Sequence, residues 1–330
     1  MRLAIDSTHR KKSNEVIFNI LYSMNWFFKA QVFNFLSIAP AGRKGYRFLQ
    51  DHLTKTLIAT QERVLQKMDV GITYWNKFGM LGETPENLRT HLDLGSGWHP
   101  TIPLLFEGFG VTRQILCDVA PVMTSDSFAS TLAMFRSVID RGLRLGCQYP
   151  KDDADSLTIP KDDVLEMIKR HGFSYHAPYF GIGDRIRGEV DFITSTQVLL
   201  YIEMPQLVEC FQDLFKALRP GGWFLATNHL YDLYSDADKS ISIYNNLKYS
   251  RRFWNSMVNS GMMSFNRLKS RDYREALEIA GFEIIEFMID HGGEDDLRSL
   301  RSLKIHPEFT VRYSEQELSE KHLFFVVRKP

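Results

Sequence analysis

The sequence predicts an α/β protein: a doubly wound, mostly parallel sheet with an antiparallel edge strand, preceded by an N-terminal helical extension. Three features predict it. From about residue 88 onward, short apolar runs ending at Gly or Asp alternate with segments of helical period. The first of these runs, Leu92-Asp93-Leu94, passes directly into a Gly95-Ser96-Gly97 turn and then a new helix. The last two runs have no clear crossover helix between them, which makes the sheet end in an antiparallel pair.

Taken in order, residues 14–88 read as aromatic-rich helices broken at Ala39-Pro40-Ala41-Gly42. Further breaks at Gly71, Gly79, Gly82 and Pro85 set this stretch apart. The expected organisation is therefore a helical region over 1–87 that covers a substrate, and a second domain over 88–330 with an inserted cover segment at 229–269. Within the second domain, strand 91–94, a helix from Thr101 and strand 114–117 form one β-α-β unit closed by Asp118. Helix 123–147 follows, then a charged loop at 151–163 and a helix over 163–171 stopped by Gly172. Strands at 173–176 and 190–194, helix 205–218, the Arg219-Pro220-Gly221-Gly222 turn and strand 223–228 continue the alternation. After the polar-aromatic segment 229–269, helix 270–280 stops at Gly281 and leads to strands 282–289 and 322–328.

Composition excludes several classes. The 330 residues are 44% hydrophobic and 24% charged, with 40 Lys+Arg against 40 Asp+Glu, the balance of a globular chain without chain-wide attraction to nucleic acid. No nucleic-acid partner is expected. Cys117, Cys147 and Cys210 are odd in number and never spaced as C-x-x-C, so neither a disulfide framework nor a structural zinc site is expected. That usage fits a reducing, cytoplasmic compartment. No run of eighteen apolar residues exists, and the N-terminal stretch lacks the pattern of a signal peptide. The aromatic stretch with Trp26, Phe27, Phe28, Phe33 and Phe35 reads as helix-packing core, or else as a surface for a membrane interface or an apolar substrate. Asp290–Asp296 holds metal-friendly side chains without a recognised spacing, so a solvated loop and no metal are expected.

The turn after the first strand carries the chemistry. Gly95 and Gly97 let backbone N–H groups approach a ligand with no Cβ between, and Pro100 suits the start of a helix whose positive end faces the same cleft. Asp118, twenty-one residues after Gly97, sits where a carboxylate accepts hydrogen bonds from ribose hydroxyls. A nucleoside is the expected guest; the same glycines also read as an ordinary tight turn, and Asp118 as a solvated loop acid. The dinucleotide fingerprint needs glycine where this chain has Pro100, and no phosphate-binding G-x-x-x-x-G-K-[ST] string occurs.

At this point Asp93-Leu94-Gly95-Ser96-Gly97-Trp98-His99 resembles the first motif, D/E-x-G-x-G-x-G, of the class I S-adenosylmethionine-dependent methyltransferases, with His99 in place of the third glycine. Val190–Ile202 and Leu214–Thr227 are similar to that family's fourth strand and its helix, Pro-Gly-Gly turn and fifth strand, in the same order. The resemblance covers residues 88–330. Residues 236–250 and 265–282 are also similar to a poorly characterised bacterial subgroup of methyltransferase-domain proteins. The resemblance implies a Rossmann-like sheet, S-adenosylmethionine as cofactor, and methyl transfer to an O, N or C nucleophile on a small molecule or a glycan- or lipid-type acceptor. It implies cofactor contacts at Asp93, Gly95, Ser96, Gly97, Asp118, Thr196 and Gln197. The acceptor and the transferable methyl would meet near Thr227–Asp232, with His229 and Asp232 as candidate proton acceptors; these two also read as hydrogen-bonded members of a lid loop. Alignment of donor and acceptor contributes about 7–11 kcal/mol, and a general base about 10²–10⁴-fold. The rival readings are a non-catalytic module on the same fold and, disfavoured by Pro100, a nicotinamide-dependent oxidoreductase.

Overall fold

A computed structural model describes residues 25–38, 59–140, 164–179, 181–261 and 263–330. The break at 39–42, the charged loop at 151–163, Cys147 and the expected helical stretches at 14–24, 43–58 and 141–147 lie outside these residues.

Among the described residues seven strands form one sheet: β1 (Thr90–Leu94), β2 (Arg113–Cys117), β3 (Phe173–His176), β4 (Val190–Thr196), β5 (Leu218–His229), β6 (Glu283–His291) and β7 (Glu320–Arg328). Their order is β3-β2-β1-β4-β5-β7-β6. The first five are mutually parallel, and β7 runs antiparallel to both β5 and β6. This is the expected Rossmann-like, doubly wound sheet with an antiparallel edge pair. The switch in winding falls between β1 and β4, and the carboxyl ends of strands at such a switch are where doubly wound sheets hold ligands.

Described helices longer than four residues are α1 (Trp26–Ile38), α2 (Gln61–Met80), α3 (Thr101–Gly108), α4 (Ser125–Asp140), α5 (Val164–Arg170), α6 (Met204–Ala217), α7 (Arg251–Met257), α8 (Ser270–Ala280) and α9 (Glu294–Ser302). One sheet face packs Ile193, Phe224, Ala226 and Phe325 against Leu207, Phe211 and Leu214 of α6 and Tyr273 and Leu277 of α8. The other packs Phe192, Trp223, Leu225 and Val326 against Tyr74 and Phe78 of α2 and Ile102 and Phe106 of α3. Burying such side chains fully is worth roughly 1.5–3 kcal/mol each.

Three details differ from expectation. Gly71 and Gly79 do not break the chain; α2 runs through both. A Cβ at Gly71 would stand 2.7 Å from Leu105 Cδ2, so the glycine lets α2 and α3 approach closely. The Arg219–Gly222 bend lies inside β5: Val190 pairs with Leu218 and Phe192 with Trp223, and the bend is looped out between them. Between β6 and β7 the chain is helical, through α9 and two short turns at Pro307–Thr310 and Glu315–Leu318. The acidic run Glu294–Asp296 opens α9 instead of forming a solvated loop, since carboxylates in a first turn complement the free N–H groups there. Asp296 accepts from Gly293 N and Lys321 Nζ, both at 3.1 Å.

Candidate functional site

The site forms where β2, β1, β4 and β5 end side by side. After β1 the chain bends through Gly95 (φ +82°) and Gly97 (φ +63°), both in the left-handed region that favours glycine. The bend is fastened by Gly95 N and Ser96 N donating to Cys117 O at 2.8 and 3.1 Å, and by Ser96 Oγ donating to Asp93 O at 3.2 Å. The two glycines do different work. A Cβ on Gly95 would stand 2.1 Å from Val198 Cγ2, whereas one on Gly97 would meet nothing nearer than Gly95 O at 4.0 Å. The Gly97 backbone is thus open to a guest, and it is the feature that fits a nucleoside cofactor.

Asp118 follows β2 and turns its carboxylate to this bend, accepting from Gly97 N (2.9 Å) and Ala120 N (3.3 Å). Burial raises its pKa above the ordinary carboxylate value, against the pull of those N–H groups and of Lys67. Asp93 points inward from β1, 6% exposed, and burial pushes its pKa up to about 6 although Lys67, Ser96 and Thr194 oppose the shift. One hydroxyl proton also serves two acceptors there. Gln114 donates its amide to Pro103 O (2.7 Å) and so offers its oxygen to His91 Nδ1 (3.0 Å). His91 Nε2 must then accept from Thr194 Oγ1 (2.8 Å), the same hydroxyl that lies 3.2 Å from Asp93 Oδ1. Burial keeps His91 neutral by lowering its pKa to about 3.

Two residues that sequence reading missed belong here. Lys67 of α2 is half-buried and donates from Nζ to His99 O at 2.7 Å. Burial lowers its pKa, while Asp93 and then Asp118 pull it back up. Tyr74, one helical turn pair further along α2, donates to Ser195 O at 3.0 Å and lies 3.1 Å from Thr196 Oγ1. The detectable signal was the buried stripe Val64, Met68, Gly71, Tyr74 and Phe78, which lays α2 across the sheet.

At the end of β4, Thr196 meets Tyr74, and Gln197 takes φ +58°, unusual for a side chain with a Cβ. Gln197 N donates to Thr227 O, and its Oε1 accepts from His229 N at 2.7 Å, so the β4 and β5 ends are tied together. His229 pairs across β5 and β7 with His322, ring centroids 4.9 Å apart. Burial, with a smaller push from His322, lowers the His229 pKa to about 4, and its Nδ1 is buried without a partner among the described residues. Asp232 lies deeper. Its Oδ1 accepts from Tyr234 N (2.9 Å) and its Oδ2 from Asn245 Nδ2 (3.2 Å), and burial raises its pKa to about 7. The structure therefore places Asp93, Gly95, Ser96, Gly97, Asp118, Thr196 and Gln197 at the carboxyl ends of β1, β2 and β4, His229 at the end of β5, and Asp232 inside the loop that follows. His99 is held apart by its ring, which bonds Thr131 Oγ1 at 2.8 Å.

Segment 229–269 packs on α1. Trp26 lies among Tyr234, Tyr249 and Trp254, its N donates to Asp238 Oδ2 (2.9 Å), and Gln31 and Asn34 donate to Met257 O. Among the described residues no helix is long and apolar enough to cross a membrane, and no group of three metal-binding side chains is positioned around an ion.

No family profile and no curated protein matches the chain. Solved structures similar to it include a geranyl diphosphate C-methyltransferase from Streptomyces coelicolor (12% identity, covering 82% of this chain and 84% of that one, TM-score 0.42). An S-adenosylmethionine-dependent methyltransferase from Mesorhizobium loti is another (15% identity, 72% and 90%, TM-score 0.38). The cyclase SpnF is a third (14% identity, 74% and 76%, TM-score 0.38).

Proposed function

We propose that the chain is an S-adenosylmethionine-dependent methyltransferase acting on an O, N or C nucleophile of a small molecule or of a glycan- or lipid-type acceptor. The observation that carries this reading is the open Gly97 backbone backed by the Asp118 carboxylate at the β1–β4 switch point. When bound, the cofactor supplies a methyl group activated on a sulfonium. Asp118 retains lone pairs for ribose hydroxyls beyond the two N–H groups it already accepts. Asp93 and Lys67 present one carboxylate and one ammonium, the complement of an amino-acid end. Thr196 and Gln197 form the crevice rim on the β4 side. His229 is neutral at pH 7 and can accept a proton from an acceptor hydroxyl, but a conjugate-acid pKa of about 4 makes it a weak base, so alignment of the acceptor does most of the work. Asp232 supports the cover formed by α1 and segment 229–269.

The test begins with calorimetry. S-adenosylhomocysteine should bind saturably, and a nicotinamide dinucleotide should leave the thermal midpoint unchanged while S-adenosylhomocysteine raises it. Incubating cell extracts with isotopically labelled methyl donor and protein, followed by mass spectrometry, then identifies the acceptor. Absence of S-adenosylhomocysteine binding would overturn the cofactor assignment; binding without label transfer to any acceptor would favour the non-catalytic module.

A further inference from the structure

A second cleft, of about 330 Å³, opens between the start of α7 and the Pro307–Thr310 turn, and its lining includes Arg251, Arg267 and Arg312. None of the crevice residues Asp93, Asp118, Thr196 or His229 lines it. Asn266, at its floor, donates to Leu199 O and Ile202 O, which anchors the cleft to the β4–α6 connection.

Arg267 is the centre of this cleft. It holds φ +56°, one of two non-glycine residues in the left-handed region among those described, a conformation that persists where surrounding contacts impose it. Its side chain is 4% exposed, with the guanidinium between the rings of Trp254 (5.1 Å) and Phe309 (4.9 Å). Nη1 is used up by the carbonyls of Asn246 (3.0 Å) and Tyr249 (2.6 Å). Nε and Nη2 meet no hydrogen-bond acceptor among the described residues; the nearest carboxylate oxygen to Nη2, Glu308 Oε1, is 3.9 Å away. These two nitrogens are not among the buried atoms left without a partner; on a residue that lines the cleft, they are a rigid donor edge open to an anion.

The neighbours point the same way. The Arg251 guanidinium is exposed and contacts no acceptor among the described residues; only its backbone N is engaged, by both oxygens of Glu308 at 2.9 Å. Burial, with a smaller push from Arg251, leaves the Arg267 pKa lowered to about 10 despite Glu308, Glu203 and Asp232. Arg312 is held from behind by Asp272, which also accepts from Tyr313 Oη. Three guanidinium groups thus face a cleft that contains one carboxylate.

From the free donor edge of Arg267 and the unpaired Arg251 beside it, we propose that this cleft binds a phosphate-type anion, separately from the cofactor crevice. The shared chemistry is a phosphate monoester or its inorganic parent, presented either by a soluble molecule or by a lipid headgroup. The planar donor fork of arginine suits phosphate oxygens, and two or three converging forks give specificity that a surface lysine does not.

The full chain is titrated calorimetrically with inorganic phosphate and with glycerol 3-phosphate, and in sedimentation assays with phosphatidylcholine vesicles with and without phosphatidic acid. Arg251→Ala, an exposed change, should weaken the phosphate-bearing probe about tenfold. Glu308→Gln should tighten it about threefold by removing the competing charge. Both variants must keep the wild-type thermal midpoint to within a few degrees and bind S-adenosylhomocysteine as wild type does, so that this proposal and the cofactor reading fail independently. Saturable binding of the soluble probes that follows this pattern supports a soluble ligand. Vesicle binding that requires phosphatidic acid and is lost in Arg251→Ala supports a headgroup. No saturable binding to any probe, or binding indifferent to both variants, overturns the proposal.

Discussion

The turn after β1 and segment 229–269 solve the same problem, holding a non-repetitive backbone at the end of a sheet, by opposite means. The turn at Gly95–Gly97 is fixed by backbone: two N–H groups on Cys117 O, one on Asp118, and two left-handed glycines. Segment 229–269 is fixed by side chains: Asp232 on Tyr234 N and Asn245, Asn266 on the Leu199 and Ile202 carbonyls, Arg267 on those of Asn246 and Tyr249, and an aromatic cluster around Trp254. The first arrangement is intolerant of a side chain at Gly95 yet demands little else of residue type. The second depends on many particular side chains, each of which is replaceable only together with its partner.

That contrast can be broken most sharply at the glycines. Gly95→Ala forces a left-handed alanine against Val198 and should cost roughly 2–5 kcal/mol of stability, read from urea denaturation. Gly97→Ala has room for its methyl and should cost only about 1 kcal/mol of stability. The same methyl stands where a guest would approach, so S-adenosylhomocysteine binding should weaken by about 1–3 kcal/mol in calorimetry. If Gly97→Ala leaves that affinity unchanged, the bend is a structural turn and nothing more. Asp118→Ala should weaken the same ligand by about 1–3 kcal/mol with a smaller effect on stability.

On the cover side effects are smaller and depend on pH. His229→Ala should slow transfer to a hydroxyl acceptor by no more than about 10²-fold, the low end of general-base help, with S-adenosylhomocysteine affinity kept. Equal turnover at saturating acceptor removes His229 from the reaction. For Asp232 the folded-state pKa of about 7 lies above the ordinary value of 3.8. The folded chain therefore keeps a proton that the unfolded chain releases, so this group's contribution to stability is greatest below pH 4 and is lost as pH rises from about 4 to about 7. Asp232→Asn cannot titrate, and the difference in urea midpoint between pH 5 and pH 8 should shrink in the variant relative to wild type. An unchanged difference would mean that Asp232 is ionised throughout.

The two regions were also unequally legible in the sequence. Strand 91–94, the glycine turn, Asp118 and the helix stopped by Gly281 were readable because each rests on local rules: strand period, left-handed glycine, a helix terminator. Lys67 and Tyr74 were not, because the stripe of α2 marks a face that packs but not which strand ends it packs beside. The helical link between β6 and β7 was missed because DHGGEDD has the composition of a loop, while its acidic residues serve as the first turn of α9. Asp232 and His229 were found as residue types but not as environments. Burial of one and the histidine neighbour of the other arise from contacts across ten to ninety residues of chain.

The position of β7 has a consequence for assembly. β6 touches the rest of the sheet only through β7, which a ribosome makes some thirty residues later. Until that later strand emerges, β6 has no partner and the outer edge of β5 is bare, two interfaces that invite pairing with other chains. Order in space here inverts order of synthesis, so β6 joins the sheet only once β7 has been made.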